Sequence, residues 1–228
     1  MEKEFRRNNG NSQNKLDGRL MDTKFILEKF NTLFPNPKCE LNYNNEWQLL
    51  IAILLSAQCT DKKVNNVTPI LFSKYPTLKS LKEANFNDLE KIIHPLGLSN
   101  NKAKNIINLA KILNEEYKDT VPNTKEQLTQ LPGIGNKTAN VMLIEYFKTP
   151  AFPVDTHVSR VSKRLNICKE NDTVAAIEKK LTKKFPKKNW ATLHLQMVLF
   201  GRYICKAIKP SCDSCPFKEK CCYTKKQA

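Results

Sequence analysis

Residues 131–140 read LPGIGNKTAN, a stretch that predicts a tight turn directly before a helix. Two glycines, Gly133 and Gly135, stand one residue apart, and a helix-compatible run follows over residues 137–147. Glycine allows the tight turn and lets an anion approach the peptide N–H groups. Those groups, with the positive end of the following helix, suit a phosphate of a nucleic-acid backbone. Taken alone, such a stretch is more often an ordinary connection between helices.

Apolar residues on both sides of this turn recur at helical spacing. Residues 25–33 carry one stripe, and residues 47–55 predict a helix that is buried nearly all round. Residues 106–117 carry another stripe, for which Ser99 or Asn100 is the expected N-cap. Alternating strand patterns are absent, and most of the glycines and prolines fall between helical segments. The sequence therefore predicts an all-α protein.

Composition indicates a folded, basic protein that acts inside the cell. The 228 residues, 40% hydrophobic, suffice for one large or two small domains, after a polar tail at residues 1–20 that we expect to be disordered. The longest apolar run, residues 49–55, is too short to cross a membrane, and a cytoplasmic location is expected. Lys and Arg total 38 against 22 acidic residues, a formal charge of +16. This charge favours nucleic acid as a partner, although lysines can also serve solubility alone.

Five of the eight cysteines lie in one short segment, between Cys205 and Cys222. In a reducing compartment such clustering indicates metal ligation rather than disulfides. Cys205, Cys212, Cys215 and Cys221 have the spacing C-x6-C-x2-C-x5-C, and Cys222 is surplus. Thiolates suit zinc and iron–sulfur clusters alike, so spacing alone leaves the metal open.

Four motifs in this order resemble the endonuclease III branch of the helix-hairpin-helix DNA glycosylases. They are LPGIGNKTA at residues 131–139, LLSAQ at 54–58, VDTH at 154–157, and GRY at 201–203 followed by the cysteines. The resemblance covers residues 21–223 and implies an all-α fold of two lobes with a DNA-binding groove between them.

The implied lobes are a six-helix barrel domain with the helix-hairpin-helix motif, residues 39–149, and an iron–sulfur domain made of residues 21–38 and 150–228. By the same resemblance the cofactor is a 4Fe-4S cluster on four cysteines: Cys205, Cys212, Cys215 and Cys221. Base removal needs no electron, so the cluster is expected to serve as a structural clip.

The resemblance also implies a bifunctional DNA glycosylase and abasic-site lyase that removes oxidised pyrimidines from duplex DNA. Lys137 would attack the sugar and form a Schiff base, and Asp155 would stabilise the sugar cation. The residues suit these roles, because the positive helix end disfavours an ammonium in the first turn, and partial burial of Lys137 is expected to add to this. Asp155 is also a favoured N-cap for the helix that follows.

The remaining expected site residues contact DNA. Gln58 would fill the hole left by the extruded base, and Leu98 would insert between base steps. Further backbone contacts are expected at Gly133, Gly135, His157, Lys206 and Lys209. In related sequences two adjacent basic residues often precede Pro210, and here Ile208 takes one place. The expected partner is double-stranded DNA with damaged bases or abasic sites, bound by a monomer.

Two other functions remain open at this stage. The adenine glycosylase branch shares the hairpin, the aspartate and the cluster, but it lacks the Schiff-base lysine that Lys137 would provide. A non-catalytic DNA-binding protein could use the hairpin as a clamp and the cysteines as a zinc staple. It would bind DNA without cleaving it.

Overall fold

The computed structural model describes residues 21–225, and the predicted disordered tail, residues 1–20, lies outside them. The described chain is helical and contains no strand, so the all-α prediction is confirmed. The helices are α1 (Thr23–Leu33), α2 (Glu46–Leu55), α3 (Asp61–Lys74), α4 (Leu78–Lys82), α5 (Phe86–Ile93), α6 (Ser99–Glu115), α7 (Lys125–Leu128), α8 (Asn136–Glu145), α9 (Thr156–Arg164), α10 (Val174–Lys184), α11 (Trp190–Tyr203) and α12 (Cys222–Lys225). Short 3-10 helices occur at His94–Leu96, Lys187–Asn189 and Lys218–Lys220.

Most helices begin at a side chain that accepts a hydrogen bond from a backbone N–H in the first turn. These capping residues are Asp22, Asn45, Thr60, Thr77, Asn85, Thr124, Asp155 and Thr173. The prediction of Ser99 or Asn100 as the cap of α6 is wrong. Leu98 occupies that position with φ 52, and its apolar side chain cannot accept a capping hydrogen bond. Ser99 is the first residue of the helix, and its hydroxyl donates to Glu90 instead of capping α6.

The first core contains the apolar side chains of helices α2 to α8 and lies between Leu41 and Leu143 in sequence. Helix α2 runs through its centre with residues 47–55 all buried, as the sequence predicts. Helices α4 and α5 pack against α6. We call this part of the chain the hairpin lobe, since it includes the turn at residues 131–135.

The second core joins α1 to α9, α10 and α11. Its centre is a cluster of three aromatic rings, in which the Phe30 centroid lies 5.4 Å from Phe200 and 5.2 Å from Phe217. Such close, tilted ring pairs add to the free energy of burying apolar area. We call this part, residues 21–34 and 152–217, the cysteine lobe. The domain limits given above remain predictions.

Polar side chains of α11 and α10 join the lobes. Arg202 of α11 donates to Asp61 Oδ2 at 2.9 Å, where α3 begins. Glu178 of α10 accepts a hydrogen bond from Asn140 Nδ2 at 3.2 Å, and Lys125 Nζ lies 3.8 Å from the same carboxylate. Since Lys125 and Asn140 belong to α7 and α8, one carboxylate of the cysteine lobe contacts both helices that flank the hairpin.

Within the described residues, no helix is long and apolar enough to cross a membrane.

Candidate active site

The hairpin before α8 depends on one of its two glycines for its conformation. Gly133 has φ 77, in the left-handed region, and a Cβ there would lie 2.8 Å from Asn105 Nδ2 and 3.0 Å from Leu54 Cδ1. The turn is closed by Ile134 N, which donates to Leu131 O at 3.1 Å. Only glycine fits this position without displacing its neighbours.

Gly135 plays a different part, because it precedes α8 with an extended backbone and has nothing within 4 Å of an added Cβ. It is exposed, as are Asn136 and Lys137. The first peptide N–H groups of α8 therefore begin at an open surface. This is the arrangement that an anion site at a helix N-terminus requires.

Lys137 lies in the first turn of α8, and its side chain is exposed. The predicted partial burial is therefore wrong, because the cleft that the lysine faces is open in the absence of a partner. That cleft, of about 1310 Å³, lies between the two lobes, and Asp155 lines it from the opposite lobe. The cleft exceeds the roughly 300–1,000 Å³ of typical ligand sites, which suits an extended partner.

Asp155 caps α9 through Oδ1, which accepts a hydrogen bond from Val158 N at 2.8 Å. The capping role expected of this residue is confirmed. The bond fixes the rotamer of the carboxylate and leaves Oδ2 available to the cleft. Lys137 and Asp155 also line a second, smaller cavity behind the cleft.

His194 of α11 is a site residue that sequence reasoning missed. It lies at the smaller cavity, is 4% exposed, and its Nδ1 is 2.9 Å from Pro153 O, so Nδ1 donates to this carbonyl. Burial lowers the pKa of His194 to about 4, with the carboxylate of Asp155 acting in the opposite direction and Lys137 lowering it further. A neutral imidazole therefore lies within electrostatic reach of both candidate catalytic residues. The sequence alone does not reveal this position, because a single histidine in an apolar helix has no pattern that links it to Lys137 or Asp155.

The opposite wall of the cleft carries two exposed residues at positive φ. Gln58, in the turn after α2, has φ 57 and lines the cleft. Leu98 has φ 52 and is 53% exposed, and Gly97 beside it lines the cleft. Leu98 is thus not a core residue. Both predicted intercalating residues lie at the edge of the cleft, in the turn at residues 56–59 and the segment at residues 94–98, which together we call the rim.

His157 and two arginines of α9 connect the cleft to the cysteine segment. The Arg160 guanidinium donates to His157 Nδ1 at 3.1 Å and to Gly201 O at 2.8 Å. His157 lines the cleft, and burial lowers its pKa. Arg164 donates to Lys206 O at 2.7 Å and stacks on the Tyr223 ring. The loop between the first two clustered cysteines is therefore hydrogen-bonded to α9, the helix that Asp155 caps.

The loop that follows Cys205 presents its basic side chains to solvent. Lys206 and Lys209 are exposed, and Lys209 has φ 50. Ile208 of the same loop is 81% exposed. The other predicted DNA-contact residues belong to other segments of the chain.

The four clustered cysteines, Cys205, Cys212, Cys215 and Cys221, line one narrow cavity. Burial raises the pKa of the Cys205 and Cys215 thiols, and the neighbouring cysteine sulfurs raise them further. Thiolates gathered here therefore need a compensating positive charge. Over residues 21–225, no group of three or more His, Cys, Asp or Glu side chains is arranged to hold a single metal ion.

Comparison with known proteins agrees with this fold. Residues 51–187 match the model of the HhH-GPD superfamily base excision DNA repair protein. Endonuclease III of Bacillus subtilis (strain 168) is 45% identical over 202 residues, which cover 89% of this chain and 92% of that protein. Endonuclease III of Rickettsia conorii (strain ATCC VR-613 / Malish 7) is 48% identical, with 87% and 94% covered.

Solved structures extend the similarity to three dimensions. A trapped endonuclease III–DNA covalent intermediate, the estranged-adenine complex, is similar with a TM-score of 0.87 at 46% identity, covering 90% of this chain and 96% of that one. The helical lobes, the hairpin and the cleft define a base excision DNA repair protein of the HhH-GPD superfamily. Within that superfamily the chain belongs to the endonuclease III family.

Proposed function

We propose that the protein is a DNA glycosylase and abasic-site lyase that removes oxidised pyrimidines from duplex DNA. The observation that carries this proposal is the pairing of Lys137 and Asp155 across one cleft, each on the first turn or cap of its own helix. Membership of the endonuclease III family supports it. The bacterial relatives support a cytoplasmic location, and the cleft supports double-stranded DNA as the partner.

Lys137 would act as the nucleophile. Its neutral Nζ attacks C1′ of the sugar, the bond from C1′ to the base breaks, and the base leaves with a proton. The bond from C1′ to the ring oxygen O4′ then breaks, O4′ takes up a proton from solvent, and the protonated imine that remains makes the C2′ hydrogen acidic. Loss of that proton and cleavage of the bond from C3′ to its oxygen release the 3′ phosphate.

Asp155 would stabilise positive charge on the sugar. A carboxylate beside an oxocarbenium-like centre is a general feature of glycosidic cleavage. Because Oδ1 is held by the Val158 N–H, the carboxylate does not have to reorient when that charge develops.

We assign most of the DNA contacts to the rim and to the hairpin before α8. Gln58 and Leu98 would occupy the gap in the base stack, and the N–H groups after Gly133 and Gly135 would hold a phosphate. His157 would bind a second phosphate through Nε2. Further contacts come from the exposed loop lysines, Lys206 and Lys209.

We assign a 4Fe-4S cluster to Cys205, Cys212, Cys215 and Cys221. Four thiols around one cavity fit the four-cysteine ligation of a larger cluster. When bound, the cluster would supply positive charge and cross-links, and the chain's own residues would perform the excision. Iron and acid-labile sulfide, each at about four per chain, would support this assignment, whereas one zinc without sulfide would contradict it.

Borohydride trapping tests the proposed function. With a duplex that carries thymine glycol, reduction of the imine should leave the protein covalently attached to DNA. Lys137→Gln should abolish trapping and strand cleavage while preserving lesion binding, because the amide cannot form an imine. Lys111→Gln, at an exposed position of α6, is the matched control and should trap normally.

Two results would overturn the proposal. If the unmodified protein excises a base but never becomes attached, the reaction is hydrolytic, as in the adenine glycosylase branch. If it binds the duplex without excision or cleavage, it is a DNA clamp.

A further inference from the structure

The rim segment at residues 94–98 has an unusual backbone for a surface connection. Gly97 and Leu98 both have positive φ, 67 and 52, in two successive residues. Leucine rarely adopts this region, because its Cβ crowds the backbone, and a residue remains there only if its surroundings hold it. The leucine is also exposed, and it directly follows Gly97, which lines the cleft.

One buried lysine contacts this segment from the protein interior. Lys102, in the first turns of α6, is 4% exposed, and its Nζ donates to Leu96 O at 3.0 Å. Its own backbone N–H donates to Leu98 O at 3.0 Å. Lysine is almost never fully buried unless it is paired, so a buried ammonium with a carbonyl acceptor indicates a specific role.

The other exposed turn of the rim lines the same cleft as this segment. Gln58 and Cys59 line the cleft together with Leu96 and Gly97. Cys59 follows Gln58 directly, and its N–H closes the turn by donating to Ser56 O at 3.0 Å. The lysine thus holds one of the two segments that carry exposed residues at positive φ and that line the same cleft.

A second set of contacts holds the same segment from behind. The Ser99 hydroxyl donates to Glu90 Oε1, and His94 Nδ1 lies 3.1 Å from this oxygen. These bonds join the start of α6 to α5. They fix the two ends of the segment, whereas the carbonyl of Leu96 in its middle is held by Lys102.

We propose that Lys102 is a positioning residue, whose buried ammonium holds the Leu98 segment in place on the rim so that Leu98 can enter a duplex together with Gln58 of the other turn that lines the cleft. This inference rests on the proposed function. Lys102 does not touch the reacting atoms, and its role is confined to substrates in which a stacked base must be extruded. A methionine would fill the space of the lysine but would leave the Leu96 carbonyl without a donor in a buried site.

The test compares Lys102→Met on two substrates. One is a duplex with a single thymine glycol, and the other is a single strand with one abasic site, where no stack has to be opened. Single-turnover borohydride trapping should become slower by about tenfold or more on the duplex, the effect of losing a hydrogen bond to a buried carbonyl. Trapping on the single strand should stay within about twofold, because a role limited to duplex opening does not alter the imine chemistry.

Lys111→Met is the matched control, since it removes one positive charge from an exposed position of the same helix. It should leave both rates within about twofold, which would separate the buried contact from a general loss of DNA attraction. Fluorescence of 2-aminopurine placed beside the lesion should rise less with Lys102→Met than with the control, because the base stack is opened less often. The exposed Leu98 offers a further check: combined with Lys102→Met, Leu98→Ala should add little to the duplex defect.

If Lys102→Met fails to fold, Lys102→Gln keeps an amide donor of shorter reach and should show a smaller defect with the same dependence on duplex structure. Equal losses on both substrates, or no loss on the duplex, would overturn the inference. Failure of the unmodified protein to trap either substrate would instead overturn the proposed function.

Discussion

Replacing Gly133 by alanine should destabilise the whole hairpin lobe. The substitution forces a residue with a Cβ to adopt φ 77, which costs about 1–2 kcal/mol. The new methyl group would also lie 2.8 Å from Asn105 Nδ2 and 3.0 Å from Leu54 Cδ1. The amide of Asn105 can move, but Leu54 is buried in α2, so an overpacking cost of about 1–3 kcal/mol is expected. Together these effects lower the free energy of unfolding by about 2–5 kcal/mol.

Gly135→Ala provides the matched control two residues away. The backbone there has φ −91, and an added Cβ meets nothing within 4 Å. Its free energy of unfolding should fall by only about 1 kcal/mol, because alanine is less favourable than glycine at an N-cap. Duplex binding should weaken because the methyl group occupies space beside the N–H groups assigned to a phosphate.

Urea denaturation followed by circular dichroism measures the first effect, and fluorescence anisotropy with a labelled duplex measures the second. A Gly133→Ala variant as stable as the unmodified protein would refute the steric argument. Normal duplex binding by Gly135→Ala would refute the phosphate assignment.

Two further predictions concern contacts that the sequence did not reveal. The pKa of His194 is about 4 in the folded protein against 6.5 as its ordinary value, so the unfolded chain takes up a proton first as the pH falls. The stabilising effect of the neutral ring is therefore complete above pH 6.5 and is lost towards pH 4, by about 2 kcal/mol between pH 7.5 and pH 5. His194→Asn, whose amide can still donate to Pro153 O, should remove this part of the pH profile in urea titrations, and an unchanged profile would contradict the assignment. Asn140→Asp alone should lower the free energy of unfolding by about 1–3 kcal/mol, because two carboxylates would then face each other at residues 140 and 178. Adding Glu178→Gln should restore the thermal midpoint, because the donor and the acceptor of the hydrogen bond are then exchanged. Additive losses of stability in the double variant would show that the two residues are not coupled.

The sequence predicts those parts of the fold in which local pattern and final environment agree. Helix α2 is one case, because residues 47–55 are almost entirely apolar and all lie in the core. The cap at Asp155 is another, since the capping bond joins residues three apart. The capping prediction at Ser99 failed because its hydroxyl binds Glu90, nine residues away on another helix. Periodicity carries no information about such a partner.

The candidate site could be predicted only in part for the same reason. Motif resemblance selected Lys137 and Asp155, and spacing alone could not show that they face each other, since this depends on how two lobes pack. His194 and Lys102 belong to the site only through tertiary contacts with Pro153 and Leu96. Each reads in the sequence as one more polar residue in a helix.

The aromatic cluster of the cysteine lobe has a consequence for the order of folding. Phe30 lies in α1, whereas its partners Phe200 and Phe217 are synthesised about 170 residues later or more. At about 5–20 residues per second, α1 waits roughly ten to thirty seconds for them during translation. The hairpin lobe is continuous in sequence and can form meanwhile, so the second core closes last. Until then the apolar stripe of α1 is exposed beside the ribosome, which makes the nascent chain a substrate for chaperones at that stage.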